Sequence, residues 1–248
     1  MHISLIPETI TKIGNFAVTN TLITSWVVML LLIIAAFFLG RKPKLTPGKA
    51  QNFVEYVIET LLGFFEGVWG DKEKVQRFFA FLATFFLFIL LCNWFGLIPG
   101  VGTVGFYEET RGEQEFLPLL RSLNSDLNAT VAWAIISVIT TQIAGIVFLG
   151  AGKHLGKFFN FKSPIDFFVG ILEFISEISK IISFSFRLFG NVFAGEVLLM
   201  VMMFLAPFIL PLPFFMLEMF VGLIQALVFT TLTLVFLKMA TETHTQAN

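Results

Sequence analysis

An all-α membrane protein of five to six helices is what this sequence predicts, and three observations carry that expectation. Apolar residues make up 56% of the 248-residue chain and charged residues only 13%, with a mean hydropathy of +0.87. Soluble domains carry about 25% charged residues. The apolar residues are gathered into runs of bilayer-crossing length. The runs are separated by basic clusters that fall on alternate loops. A net charge of −1 argues against a nucleic-acid partner. The single cysteine, Cys92, excludes an intrachain disulfide and lies in an apolar run, where it reads as a small packing residue. The segment Met1 to Ile10 lacks the basic start and apolar core of a cleavable signal.

Residues 21–39 form the first expected span. Arg41, Lys42, Lys44 and Lys49 follow it, with Pro43 and Pro47 between them. By the positive-inside rule that end is cytoplasmic and the N-terminus lies outside. Residues 48–70 differ. Phe53, Val57, Leu61 and Phe64 recur at helical spacing, while Glu55, Glu59 and Glu66 lie off that stripe. This predicts an amphipathic helix at the cytoplasmic interface or against a neighbour. The cluster Asp71, Lys72, Glu73, Lys74 and Arg77 is expected to end it.

Residues 78–98 form the second span, with Asn93 read as an interhelical hydrogen-bonding residue. The following segment, to about residue 127, sets Glu108, Glu109, Glu113, Glu115 and Asp126 against Arg111 and Arg121, as suits an outer loop. Residues 129–149 form the third span. Lys153, His154, Lys157 and Lys162 then mark the cytoplasm again, with His154 expected to be solvated.

Residues 164–206 and 214–239 predict a long helical hairpin that starts and ends on the cytoplasmic side. After Pro164 no proline interrupts residues 165–206; Pro207, Pro211 and Pro213 then break the helix. A helix of that length measures about 65 Å, twice the roughly 30 Å hydrocarbon core, so a steep tilt is expected. The whole chain reads as one integral membrane domain.

Arg187 sits within the first arm. Its guanidinium stays charged, and placing it near the bilayer centre costs roughly 2.5–3.5 kcal/mol on insertion scales. Such a charge marks an ion pathway or the partner of a buried anion. Ser176, Ser179, Ser183, Arg187, Gly190 and Ala194, spaced 3, 4, 4, 3 and 4, form one helix seam. Small residues let a second helix approach closely. Residues three and four away from Arg187 are Ser183, Phe184, Gly190 and Asn191, none of them acidic, so a counter-charge must come from another helix.

Glu196, nine residues on, points to the opposite side of that helix. It is expected to meet Glu218 across the hairpin and to line a water-filled path for protons. Gln225 lies on the same face as Glu218. Glu173 and Glu177, one turn apart, are candidates for a second polar path at the other end, with a hydrated helix end as the other option. Lys180 reads as a lysine reaching lipid headgroups, with a pair to Glu177 or Glu173 as the other option.

The run Ser183-Phe-Ser-Phe-Arg187-Leu-Phe-Gly-Asn191, then Ala194-Gly-Glu196 and Glu218 with Gln225-Ala-Leu-Val-Phe, resembles subunit a of F-type ATP synthases. Residues 165–240 carry the strong part of the match. The resemblance implies a stationary, non-catalytic subunit without a cofactor or metal. In it, Arg187 faces the carboxylates of a rotating c-subunit ring, separates two aqueous half-channels and blocks a direct leak. Glu196, Glu218 and Asn191 would line the outer path, with Gln225 near Arg187. Glu173 would serve the cytoplasmic path, with Ser183, Lys180 and Glu177 in support. The implied partners are the c-ring, the b-subunit peripheral stalk, the rest of the complex, the lipid bilayer and protons, with Na⁺ left open. The implied home is a bacterial plasma membrane, with the C-terminus cytoplasmic. Some members pair a Glu at the position of Glu196 with a His at that of Glu218; here both are Glu. No phosphate loop exists, because Gly48-Lys49 and Gly152-Lys153 are followed by Ala50 and His154. A stand-alone transporter with an Arg-bound anionic substrate is the alternative, but it would be expected to show internal repeats, and none is seen.

Overall fold

The computed structural model describes residues 7–14, 16–40, 48–98, 100–110, 113–158, 163–207 and 209–242. Arg41, Lys42, Pro43, Lys44, Pro47 and Lys162 lie outside the described residues, as do the side chains of Glu108, Glu109, Arg111, Glu113 and Glu115. Seven helices are present among the described residues: α1 (Asn20–Gly40), α2 (Lys49–Trp69), α3 (Lys72–Phe95), α4 (Leu127–Leu149), α5 (Ala151–Leu155), α6 (Pro164–Leu205) and α7 (Pro211–Thr241). Five of them, α1, α3, α4, α6 and α7, are long and apolar enough to cross a membrane. The all-α membrane class is therefore correct.

Two helices begin earlier than the apolar runs suggest. The charged cluster that ends α2 also opens α3, because Asp71 caps it by accepting from the Lys74 N–H at 3.3 Å. Gly70, at φ +83°, makes the turn between the two helices. Similarly, α7 starts at Pro211 rather than 214, since proline is tolerated in a first helical turn. Ser163 caps α6 through the Ile165 N–H at 3.3 Å, ahead of Pro164. From there α6 runs unbroken for 42 residues, about 63 Å, so in a bilayer it has to incline or protrude.

Two antiparallel hairpins were not anticipated: β1 (Thr9–Ile13) with β2 (Phe16–Thr19), and β3 (Gly105–Thr110) with β4 (Glu113–Pro118). Their strands are only four to six residues long and carry too little alternation to register as a pattern.

The core lies where α3, α4, α6 and α7 meet, around Leu82, Phe85, Ile89, Phe184, Leu188, Phe229 and Leu234. Phe229 contacts Phe85 and Phe184 at centroid distances of 5.7 and 4.9 Å. Ser137 on α4 hydrogen-bonds Thr233 on α7 at 2.8 Å, the kind of polar contact that joins helices in lipid. Asn93 does the same for α3 and α7, donating to the Gly222 carbonyl at 2.9 Å. A Cβ on Gly222 would sit 3.1 Å from that of Asn93, so glycine permits the close approach. Cys92 is fully buried in packing contacts.

The buried stripe of α2 differs from the expected one. Leu61, Phe65 and Trp69 are buried, whereas Phe53 and Phe64 are exposed. The helix turns its heavier aromatic edge inward, where Trp69 stacks on Phe78 at 5.8 Å. Lys238, in the last turn of α7, donates to the Trp69 carbonyl at 2.7 Å and satisfies the C-terminal end of α2.

Candidate functional site

The arginine seam of α6 is open along its whole length. Ser176, Ser179, Ser183, Arg187, Gly190 and Ala194 are all exposed, while Phe184, Ser185, Leu188, Gly195 and Leu199 are buried against the rest of the chain. Nothing lies within 4 Å of where a Cβ on Gly190 would stand. Arg187 hydrogen-bonds the Ser183 hydroxyl at 3.3 Å. Among the described residues no ion pair involves Arg187. That helix turns a charge and a row of small residues outward, away from its own core.

Behind the seam, α6 and α7 together with α3 line a partly open cavity of about 20 Å³, whose walls are mostly apolar but include Asn93, Asn191, Glu196, Glu218 and Gln225. A single water needs roughly 10–15 Å³ and two to four polar partners. Asn191, one turn past Arg187, donates to Gln225 Oε1 at 2.7 Å, and Gln225 Nε2 is buried without a protein partner. The cavity therefore offers donors and acceptors in a space of water size.

Glu196 and Glu218 reach this cavity from opposite arms of the hairpin, but the partner of Glu196 is not Glu218. It is Arg121, whose Nη2 lies 3.3 Å from Glu196 Oε2, with side-chain exposures of 15% and 26%. Sequence reasoning missed Arg121, having read it only as one of two cations in an acidic loop. The segment that bears it is sewn to α3. Ser122 donates to the Cys92 carbonyl at 3.2 Å, and Asn124 donates to Asn93 Oδ1 at 2.7 Å. Asn93 thus joins the helix packing to the site.

Gly195 is what lets Glu218 in. A Cβ at that position would collide with the Glu218 carboxylate. The carboxylate is the movable end of its side chain, so a methyl group should displace it at little cost to the helix pair. Gly195→Ala is expected to leave the protein assembled but to lower proton flux several-fold, read as the initial acidification rate of inverted vesicles. An unchanged rate would show that the place of Glu218 beside Gly195 is immaterial.

At the other end of α6 lie Glu173, Glu177 and Lys180. Lys180 does not reach for headgroups. It is half-buried, 2.6 Å from Glu177 Oε1, and stands 4.7 Å over the Phe236 ring. Packing against α7 prevents it from extending. His154 is likewise not solvated: it is 4% exposed and bonded through Nε2 to Gln142 Oε1 at 2.7 Å. Burial pushes its pKa down, assisted by Lys157 and opposed by Glu177 and Glu173. Glu177 and Glu196 precede and follow Arg187 by ten and nine residues, about 15 and 13 Å along the helix. Arg187 stands between two polar clusters.

Residues 22–238 match the family model described as ATP synthase A chain. The chain is 37% identical over 227 residues to an ATP synthase subunit a of Gloeobacter violaceus, an alignment that covers 91% of this chain and 85% of that protein. It is 32% identical over 231 residues to an ATP synthase subunit a of Moorella thermoacetica, covering 93% and 94%. Five helices of bilayer length and a charged seam along the longest of them accord with these similarities, and the chain belongs to the ATP synthase A-chain family, as an integral membrane subunit of the proton-transporting sector.

Proposed function

We propose that this subunit is the stationary side of a rotary proton path, with two half-channels that meet a turning c-subunit ring at Arg187. The observation that carries this reading is the exposed, uncompensated guanidinium between two separate polar clusters. The outer half-channel runs by Arg121, Glu196, Glu218 and the Asn191–Gln225 pair. The inner one runs by Glu173 and Glu177. A ring carboxylate that comes beside Arg187 is held ionised, because an opposite charge lowers its pKa. It must have released its proton into one path before passing and must take one from the other afterwards. A fixed cation at the boundary also repels protons that would cross without the ring. Each charge moved through 100 mV then delivers about 2.3 kcal/mol to rotation.

The chain itself performs no nucleotide chemistry in this reading; that work lies in other subunits. The N-terminus is outside and the C-terminus cytoplasmic, in a bacterial plasma membrane. The b-subunit stalk holds the chain against the torque, with lipid covering the remaining apolar face.

Cysteine cross-linking tests the seam. A cysteine replacing Ser183 or Gly190 should form a disulfide with a cysteine placed beside the ring carboxylate, in membranes under mild oxidant. A cysteine at buried Phe184 should not, and native Cys92 is buried and stays silent. Cross-linking at Phe184 with none at Ser183 or Gly190 would put the ring on another face.

A further inference from the structure

We propose that His154 is a proton-relay residue, which passes protons between cytoplasmic water and Glu177 at the inner end of α6. The proposal rests on the half-channel reading and assigns to it a residue outside the hairpin. The geometry comes from three elements. The short helix α5 folds back on α4, so that the His154 ring fills the space a Cβ on Gly145 would take. The segment after α5 then seats on α6, where the Phe158 carbonyl occupies the place of a Cβ on Gly170. Glu173 and Glu177 lie three and seven residues beyond Gly170 on that same face of α6.

Among the described residues six buried side-chain atoms lack a hydrogen-bond partner, and two of the six belong to His154 and Glu177. Gln142 Oε1 can only accept, so His154 Nε2 carries the hydrogen in their 2.7 Å bond. That leaves Nδ1 as a bare lone pair, and it is buried without a partner. Glu177 Oε1 accepts from the Lys180 ammonium, while its Oε2 is also buried without a partner. A proton acceptor on each side of one packed junction is the arrangement a relay needs, and buried polar atoms left open without a use are rare. The flanking residues Lys153 and Leu155 are exposed, which brings water within one residue of the ring.

The step balances simply. His154 Nδ1 takes a proton from a hydronium ion of the cytoplasmic water, which is left as neutral water, and the ring becomes imidazolium, Nε2 keeping its own hydrogen on Gln142. The Nδ1 proton then passes towards Glu177 Oε2, and the ring returns to neutral. The charged groups that act on His154 are Lys157 from its own segment and Glu177 and Glu173 from α6; Gln142 and Gly145 of α4 carry no charge. Burial and Lys157 keep the ring neutral at rest, and the two carboxylates favour the transient cation.

The test is the pH profile of ATP-driven acidification in inverted vesicles of the whole complex, whose outer medium is the cytoplasmic side. That medium is varied from about pH 6.5 to about 8.5, across the range where protons become scarce for an imidazole. His154→Gln should match wild type at the acid end. It should fall at least about threefold behind at the alkaline end, a small share of the 10²–10⁴ that positioned proton-transfer groups contribute. Glu177 lies in the path itself, so Glu177→Gln should lose flux at every pH, and adding His154→Gln to it should steepen the alkaline fall no further. A His154→Gln rate that is reduced equally at every pH, or not at all, overturns the relay. If His154→Gln does not assemble, His154→Asn decides by the same criterion. Arg187→Ala run in parallel separates the two readings. If it still pumps, the half-channel reading fails; if it is inactive while the His154→Gln profile stays parallel to wild type, only the relay fails.

Discussion

Arg187→Ala is expected to abolish ATP-driven acidification of inverted membrane vesicles and to leave the complex assembled. Both halves of that expectation follow from the surroundings of the side chain. Arg187 is exposed on the seam and bonded to one neutral hydroxyl, that of Ser183, so its removal strands no buried anion within the chain. It also removes an insertion cost of about 2.5–3.5 kcal/mol, which makes the variant helix easier to place in the bilayer. Assembly therefore survives. What is lost is the fixed charge that forces a ring carboxylate to ionise as it passes. The two polar clusters, about 15 and 13 Å from Arg187 along α6, then have no electrostatic barrier between them. Passive proton leak through vesicles stripped of the catalytic sector should rise as pumping disappears. Arg187→Lys should restore little, because an ammonium is a compact point charge whose pKa shifts when buried. Normal pumping by Arg187→Ala would make the residue structural and sink the mechanism.

The second large effect is expected at the Arg121–Glu196 pair. Breaking a buried ion pair by removing one partner costs roughly 3–5 kcal/mol, because the other charge is left uncompensated. With side-chain exposures of 15% and 26% the cost here should fall below that range. Arg121→Ala should lower the thermal stability of the purified complex and slow proton flux, since Glu196 loses the group that orients it. Glu196→Ala should cut flux about 100-fold, the low end for removal of a positioned proton-transfer group. The informative variant is the double one. Residues in direct contact couple by about 0.5–3 kcal/mol, so Arg121→Ala with Glu196→Ala should be more stable than the two single losses added together. Flux should stay as low as in Glu196→Ala. Strictly additive stability losses would show that the 3.3 Å contact carries no energy. Recovered flux in the double variant would remove Glu196 from the path.

The parts legible in the sequence are those set by local periodicity and by cost. The apolar runs gave α1, α3, α4 and both arms of the hairpin, because bilayer thickness fixes their length. The seam of α6 could be read because helical spacing alone puts Ser176 through Ala194 on one face. Glu196, Glu218, Asn191 and Gln225 were legible as rare polar residues on apolar helices, and the cavity does collect all four. Interactions across long separations were not legible. Arg121 meets a residue 75 positions away, and no local pattern marks it. The burial of His154 depends on Gly145 having no side chain, a condition visible only after α5 has folded back. The inward turn of Phe65 in place of Phe64 follows from the shape of α3, since both choices give α2 an apolar stripe.

The bond from Lys238 to the Trp69 carbonyl bears on how the protein is made. Its two ends are 169 residues apart, on the order of 10–30 s of ribosomal synthesis. Throughout that interval α2 has emerged without the lysine that closes its end. The core around Phe85 also waits for Phe229, Leu234 and Leu237, which arrive with the last helix. Helices leave the ribosome in one order and pack in another. The nascent chain must keep its early helices parked in lipid or at the interface until α7 has followed them.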